Sequence, residues 1–313
     1  MAILHTITHP AGFAWPMGGV VFNTVPTTLR AETFAGASFS LIDSLTAAGE
    51  SIDGYWSVYA ENDRVFVACG TDGLRVYDWD GSNFTFVEDD SSYEIYNVTG
   101  DGTYIYTTGV GDMIYGYSYN FGTDTLTEEG SLDHGYTPFL DVWPDISAVS
   151  GDVFMNSGTV SGIIAFNFDG STFTELDDVY PGSGFPYEVF AISGEVYGAF
   201  QSAGLYVYTW NGSAFSYVDD VYPGDWVRGV WVEDSYIYLA CDARGIYVYQ
   251  LIGGTLTYVD SNTVGTLADV VVADGDYIWL FESAGSSYIF GQLHPEPPSE
   301  VGQVMIVQRQ IAG

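Results

Sequence analysis

One stretch, VFVACGTDGLRVYDWDGSNFTFV beginning at Val65, recurs along the chain and constrains the fold more than any other feature. Further copies begin at Ile105, Val153, Val196, Ile237 and Ile278, and the last copy stops one strand short. Successive copies are separated by 40, 48, 43, 41 and 41 residues. A period of this length is typical of a β-propeller or a related repeat array.

Each copy has the pattern of three β-strands, and a fourth apolar segment such as WSVYA (56–60) or YEVFA (187–191) precedes it. Apolar residues alternate with polar or aromatic ones at period two, as expected of strands. Pairs such as Asp80-Gly81, Asp169-Gly170 and Asn211-Gly212 are hairpin-turn signals between the third and fourth strands. The sequence therefore predicts an all-β fold of six four-stranded blades, with strands a to d running from the centre to the rim.

The ring needs a strand to close it, because the sixth copy lacks strand d. Phe39–Leu45 has the strand d pattern, and its pairing with the last blade would remove the free sheet edges. We therefore expect a six-bladed β-propeller over residues 36–293. Residues 1–35 are expected to form an extended N-terminal arm, and residues 294–313 a Pro-rich spacer followed by a β-prone C-terminal arm.

The charge is strongly acidic, with 41 Asp and Glu against six Lys and Arg and a net charge of −35. Repulsion from phosphate argues against nucleic acid and anionic lipid as partners. Cations, neutral glycans or a basic partner remain. The sequence has no apolar run long enough to span a membrane, and its N-terminus lacks the basic segment of a conventional signal peptide.

Strand a is expected to line the central channel, and its first two positions differ from copy to copy, as expected where function diversifies. The candidate ligand-binding residues of the channel and the face above it are Trp56, Tyr96, Asn97, Asp145, Tyr187, Glu188, Trp226, Arg228 and Asp269. The oxygen-bearing subset that could converge on Ca²⁺ is Asn97, Asp145, Glu188 and Asp269. The aromatic members could stack on sugar rings, and the structural alternative is that all these side chains fill a narrow channel.

No nucleophile constellation is visible, because His5, His9, His134 and His294 all lie away from the predicted channel strands. No spacing is typical of zinc, and no Gly-rich phosphate loop follows a strand. We therefore predict a non-enzymatic protein without a cofactor, with Ca²⁺ as the one alternative.

The repeat resembles the LVIVD-type family of short propeller repeats, and it is similar to a repeat found in proteins of phages and environmental bacteria. The matching segments are Gly102–Tyr106, Gly73–Tyr77 and Asn211–Phe215. The resemblance covers residues 36–293 and implies a propeller fold, with no catalytic residues.

The combined pattern favours a structural or binding propeller of an extracellular assembly, most of all a virion, docked through its terminal arms with the acidic, aromatic face outward. Partners are then other protein subunits, with glycans or cations as further ligands and neither nucleic acid nor membrane insertion. The expected assembly contacts are Phe13, Trp15, Val21, Phe22, Val304, Ile306 and Val307. The alternatives are a Ca²⁺-dependent hydrolase or lactonase and a glycan-binding adhesin.

Overall fold

The structure is a computed structural model of the 313-residue chain. It describes residues 1, 3–7, 14–17, 19–25, 28–35, 38–46, 57–111, 113–135, 145–157, 162–264, 267–273, 277–282 and 287–291. Within these ranges the regular structure consists of β-strands. None of the described residues belongs to a helix of the length and hydropathy needed to cross a membrane.

The strands are short and regularly spaced, as the repeat predicts. In chain order they are β1 (Ile3–Ile7), β2 (Ala14–Met17), β3 (Val20–Val25), β4 (Thr28–Ala35), β5 (Ser38–Thr46), β6 (Ser57–Glu61), β7 (Arg64–Ala68), β8 (Leu74–Trp79), β9 (Phe84–Asp90), β10 (Ile95–Gly100), β11 (Ile105–Gly109), β12 (Met113–Asn120), β13 (Thr125–Asp133), β14 (Ile146–Val149), β15 (Asp152–Ser157), β16 (Gly162–Phe168), β17 (Phe173–Val179), β18 (Glu188–Ile192), β19 (Glu195–Ala199), β20 (Leu205–Trp210), β21 (Phe215–Val221), β22 (Gly229–Glu233), β23 (Tyr236–Ala240), β24 (Ile246–Ile252), β25 (Thr255–Asn262), β26 (Ala268–Ala273), β27 (Tyr277–Glu282) and β28 (Ser287–Gly291).

These strands form seven antiparallel four-stranded sheets. Blades 1 to 6 are the consecutive groups β2–β5, β6–β9, β10–β13, β14–β17, β18–β21 and β22–β25, and blade 7 has the order β26-β27-β28-β1. The innermost strand of each blade contacts that of the next, and β26 contacts β2. The chain is thus a closed propeller whose seven innermost strands surround a central channel.

The all-β propeller of four-stranded antiparallel blades is confirmed, whereas the prediction of six blades is wrong. The additional blade is blade 1, formed by β2–β5. It contains much of the segment that was expected to be an N-terminal arm. Phe39–Leu45 does not close the ring, because it lies within β5 and pairs with β4. Closure is made instead by β1, which pairs with β28 in register from His5↔Ile289 to Ile7↔Ser287. The predicted C-terminal arm, residues 294–313, lies outside the described residues.

The core lies between neighbouring blades, because each sheet presents apolar side chains on both faces. Phe22 of blade 1, for example, is fully buried and contacts Trp79 of blade 2 edge-on, with ring centroids 5.4 Å apart. Between blades 4 and 5, Phe154 meets Trp210 in the same way at 5.3 Å. The high aromatic content of the sequence is therefore used largely for inter-blade packing.

In blades 2 to 5 the hairpins between strands c and d are built around an acidic or amide side chain. In blade 2 the Asp80 carboxylate accepts the backbone N–H groups of Ser82 and Asn83 at 2.8 and 2.7 Å, and Gly81 supplies the φ of 90° that the turn requires. Because Trp79 pairs with Phe84, this turn contains four residues rather than the two typical of an Asp-Gly hairpin.

Outer strands of neighbouring blades are joined by carboxylates, and we call these contacts the outer inter-blade bonds. Asp43 accepts the backbone N–H of Phe84 at 2.9 Å, and Asp177 accepts that of Phe215 at 2.8 Å. Asp219 accepts the corresponding N–H of Leu256 in blade 6 at 2.7 Å. Part of the recurrent acidity at the ends of strand d is therefore structural.

Candidate functional site

The central channel narrows to a small cavity lined by residues of all seven innermost strands. Its volume is about 50 Å³. A void of about 10–15 Å³ on this measure suffices for one water molecule, so the cavity has room for a few waters or a very small ligand. Polar side chains of blades 2 to 5 and aromatic side chains of blades 1, 5 and 6 share its wall.

The strand register places the predicted second channel position at one level of the ring. Ser57, Glu188 and Gly229 each pair with the alanine that ends strand b of the same blade, at Ala68, Ala199 and Ala240. In blade 3, Asn97 pairs with Thr108, which occupies the equivalent position of strand b. Residues that were grouped from the sequence alone are thus structurally equivalent.

Asp145 and Glu188 lie at this level on adjacent blades, and both line the cavity. Each carboxylate accepts a backbone N–H from the innermost strand of the following blade, Asp145 from Val189 at 2.9 Å and Glu188 from Val230 at 3.1 Å. We call these contacts the inner inter-blade bonds. Ser147 makes a third, because its Oγ accepts the N–H of Ala191 at 3.0 Å.

Burial makes the charged form of both carboxyls unfavourable. Burial raises the pKa of Asp145 to about 7, against the lowering effect of the N–H groups of Val189 and Ile146. The pKa of Glu188 is also raised, first by burial and then by the negative charges of Asp145 and Asp269. The two neighbouring carboxyls therefore favour a state in which they hold at least one proton near neutral pH.

Arg228 immediately precedes β22, the innermost strand of blade 6. Its guanidinium lies over the rings of Tyr187 and Trp226, 5.2 and 5.3 Å from their centroids. It also pairs with Asp242 at 3.4 Å and with Asp269 at 3.5 Å. Four of the predicted site residues, Tyr187, Trp226, Arg228 and Asp269, therefore form one cluster at the channel mouth.

The remaining predicted site residues are more distant or outside the described ranges. Tyr96 and Asn97 lie on β10 of blade 3, two blades from β18, and both are buried. The Tyr96 hydroxyl donates a hydrogen bond to Glu94 at 2.5 Å. Trp56 lies outside the described residues.

The three carboxylates of the predicted Ca²⁺ set are engaged in other contacts. Asp145 and Glu188 are each committed to a backbone N–H, and Asp269 pairs with Arg228. Among the described residues, no group of three or more His, Cys, Asp or Glu side chains could hold a metal ion. Calcium takes six to eight oxygen ligands, including carbonyl and water oxygens, so Ca²⁺ binding here stays a prediction.

Aromatic side chains surround the lower part of the channel, and sequence reasoning missed most of them. Trp15 meets Tyr59 edge-on at 4.8 Å and Trp231 at 5.5 Å, and Phe190 lies 4.8 Å from Trp231. Trp15 was predicted to be an assembly contact because it was assigned to an arm. Its place on β2 puts it in the channel wall instead.

Two other predicted assembly contacts are buried in blade 1. Val21 and Phe22 are both 0% exposed, so they are not available to another subunit. Phe13, Val304, Ile306 and Val307 lie outside the described residues.

Several aromatic residues are exposed on the face that carries the d–a and b–c connections, which we call the top face, and others are exposed on the outer strands. Four of those on the top face, in the connections on either side of blade 5, form what we call the blade 5 aromatic patch: Tyr180, Phe185, Tyr222 and Trp226. They are 45%, 41%, 52% and 42% exposed, respectively. The repeated Tyr-Pro-Gly segments at 180–182 and 222–224 are the sequence signal for this patch.

The b–c turn of blade 5, residues 201–204, brings these connections together. A Cβ added to Gly184 would lie 2.8 Å from the Ala203 Cβ, and one added to Gly204 would lie 3.0 Å from the Tyr222 Cα. Gln201 exchanges backbone hydrogen bonds with Val227 at 3.1 Å. The patch therefore rests on one tightly packed turn, next to the Arg228 cluster.

Comparison with known proteins identifies the fold. No protein-family model matches the sequence, and no curated protein matches it. Among solved structures, a Lactobacillus plantarum protein superposes with a TM-score of 0.68 at 13% identity, over 82% of this chain and 85% of that one. A Bacteroides fragilis protein provisionally assigned as a 6-phosphogluconolactonase gives 0.64 at 13% identity, over 80% and 83%.

Similarity extends over more of the chain in a structure of the mitotic checkpoint complex. One of its chains matches with a TM-score of 0.73 at 9% identity, over 94% of this chain and 95% of that one. Because all three identities are far below the level at which function is shared, these likenesses concern the fold alone. The chain is a seven-bladed β-propeller.

Proposed function

We propose that this chain is a non-enzymatic binding propeller that holds a protein partner against its top face. The observation that carries the proposal is the blade 5 aromatic patch. Tyr and Trp are enriched in protein interfaces, where their large rigid surfaces contribute most of the binding energy. Four such exposed side chains around one turn are more than the scattered apolar residues of an ordinary surface.

The channel supports a structural rather than a catalytic role for its carboxyls. Asp145 and Glu188 each hold the next blade through a backbone N–H. The cavity beside them is about 50 Å³, too small for most organic substrates. A hydrolase that uses these acids is therefore the weaker candidate.

The setting in an extracellular assembly, in particular a virion, remains part of the proposal, as does the likeness to LVIVD-type repeats. The N-terminal segment is no longer the proposed docking element, because β1–β5 belong to the ring and do not form a free arm. The top face replaces the N-terminal arm as the proposed contact surface.

Site-specific photo-crosslinking of the native complex tests the proposal. A photoreactive phenylalanine replaces Tyr222 on the patch or, as a matched control, Ile252. Ile252 is 58% exposed and is the last residue of β24, next to the c–d turn of blade 6 on the opposite face. We expect a crosslinked polypeptide from position 222 and none from position 252, in material that co-sediments with the partner through a density gradient. A crosslink from position 252 alone, or a chain that sediments only as a monomer, would contradict the proposal.

A further inference from the structure

We propose that the partner presents an extended, arginine- or lysine-bearing segment to the blade 5 aromatic patch, with one cationic side chain stacked on Trp226. This inference rests on the proposed function, because it names the chemistry of the partner at the same surface. It is carried by the contacts of Arg228, by the charges around the patch and by the exposure of its rings.

The top face already holds one guanidinium in the way we propose for a second. Arg228 lies between the rings of Trp226 and Tyr187, at 5.3 and 5.2 Å, within the range of a cation–π contact. Asp242 and Asp269 balance its charge at 3.4 and 3.5 Å. The combination of aromatic rings and carboxylates that binds an arginine is thus present at the patch.

Trp226 retains surface for another cation. Its ring has Arg228 on one side, yet the residue remains 42% exposed. Tyr222, four residues earlier, is 52% exposed and lies against the b–c turn of blade 5, residues 201–204. An approaching cationic side chain therefore meets an open aromatic surface, where a cation–π contact is favourable.

The charges around the patch are mainly negative. Five carboxylates and two guanidiniums lie at the ends of the outer strands that lead into its connections, in the connections themselves, and in the neighbouring b–c turn and channel mouth. They are Asp178, Asp220, Asp225, Asp242 and Asp269 with Arg228 and Arg244. Asp178 and Asp220 are exposed, and Arg244 packs over Gly224. Because Asp242 and Asp269 already balance Arg228, the outward carboxylates attract cations.

An extended segment fits this surface better than a globular one. The four rings belong to two connections that flank one turn, one between blades 4 and 5 and the other between blades 5 and 6, so the patch extends across blade 5. The net charge of −35 also steers a basic chain toward the protein and disfavours anionic ligands. The occupant with complementary charge and shape is a basic polypeptide strand.

Fluorescence anisotropy with a labelled peptide of Gly-Ser-Arg repeats tests the inference, at an ionic strength of about 0.15 M, where long-range attraction is screened. A peptide of Gly-Ser-Gln repeats is the neutral control. We expect the Arg peptide to bind and the Gln peptide not to bind. Trp226→Ala should weaken binding about tenfold, and Asp225→Asn about threefold.

Two control variants distinguish binding at the patch from attraction to the net negative charge of the protein. Asp234→Asn removes one exposed carboxylate from the opposite face of blade 6, and Phe86→Ala removes a ring that is 53% exposed on the outer strand of blade 2. Both should leave binding unchanged. Equal weakening by Asp234→Asn and Asp225→Asn would overturn the inference, because binding would then follow net charge alone. Circular dichroism confirms that each variant is folded.

The peptide and the crosslinking experiment fail in distinguishable ways. If the Arg peptide does not bind while position 222 still crosslinks to a polypeptide, the basic chemistry is wrong and the proposed function stands. If the peptide binds through Trp226 but no crosslink forms in the native complex, the patch recognises cations and the proposed protein partner is wrong. Absence of both results overturns both proposals.

Discussion

The inner and outer inter-blade bonds use one chemical device in two surroundings. In both, a carboxylate of one blade accepts a backbone N–H from the next blade, at 2.9 Å for Asp145 and 2.8 Å for Asp177. Asp145 is 9% exposed and lines a narrow cavity beside Glu188. Asp177 is half-buried on the outer strand of the same blade, near solvent.

The two kinds of carboxylate differ in how their surroundings act on the negative charge. Near the rim, water and the N–H group both stabilise the negative charge. In the channel, burial and a neighbouring acid oppose it, so the pKa values of Asp145 and Glu188 rise. The inner inter-blade bond of Asp145 is therefore sensitive to pH, because its carboxyl changes protonation near neutral pH.

The largest expected effect concerns the aromatic residues of the two regions. Trp231 is 9% exposed and contacts both Trp15 and Phe190 in the channel, whereas Tyr217 on the outer strand of blade 5 is 58% exposed. Trp231→Ala should lower the free energy of unfolding by about 3–5 kcal/mol, because it leaves a cavity between three strands. Tyr217→Ala should change it by less than about 1 kcal/mol. Urea denaturation of both variants measures the two losses of stability. Equal losses would show that the aromatic side chains in the channel do not hold the blades together.

The second prediction separates the two kinds of carboxylate by pH. A carboxyl whose pKa is raised on folding adds stability that is complete below its unfolded value and is lost as pH rises through its folded value. For Asp145 that loss therefore runs from the ordinary carboxyl range up to about pH 7, where it is nearly complete. We therefore expect the wild-type chain to lose stability between pH 5 and pH 8 relative to Asp145→Asn, by on the order of 2 kcal/mol.

Asparagine is the informative substitution, since its amide oxygen can still accept the N–H of Val189 without carrying a charge. Glu188→Gln should act in the same direction, because burial and the charge of Asp145 also raise the pKa of Glu188. Denaturation curves at several pH values provide the measurement, with Asp178→Asn as a control that removes an exposed acid from the same blade. A constant difference between wild type and Asp145→Asn across this range would contradict the raised pKa.

The fold was predictable from the repeat because strand alternation and turn residues are local signals. Blade 1 carries the same pattern, VFNTV…LRAETF…SFSLID, 44 residues before the copy at Val65. It was missed because Pro26 and Thr27 stand where other copies have turn glycines. The error in blade number then assigned Trp15, Val21 and Phe22 to an arm, although they lie in the channel wall and the blade 1 core.

The positions of the channel residues were predictable from the sequence, but their roles were less so. Aligning the copies identified the channel level of Asn97, Asp145 and Glu188, and the register agrees with it. The sequence could not distinguish a carboxylate that bonds to the next blade from one that faces solvent, because Asp177 and Asp178 are adjacent and identical. That distinction depends on which face of β17 each side chain occupies, and a register shift in the pairing of β16 with β17 changes the simple alternation of faces.

This adjacent pair offers the smallest and most closely matched test. Asp177 accepts the N–H of Phe215, and exposed Asp178 is its neighbour in β17. Asp177→Ala should lower the free energy of unfolding by about 1 kcal/mol, the typical contribution of one hydrogen bond, while Asp178→Ala should be close to neutral. Both variants remove the same charge, so the general repulsion in this acidic protein changes equally in the two. Hydrogen exchange at the Phe215 amide should quicken only in Asp177→Ala, and equal stability with equal exchange in both variants would mean that the outer carboxylates serve solubility and do not join the blades.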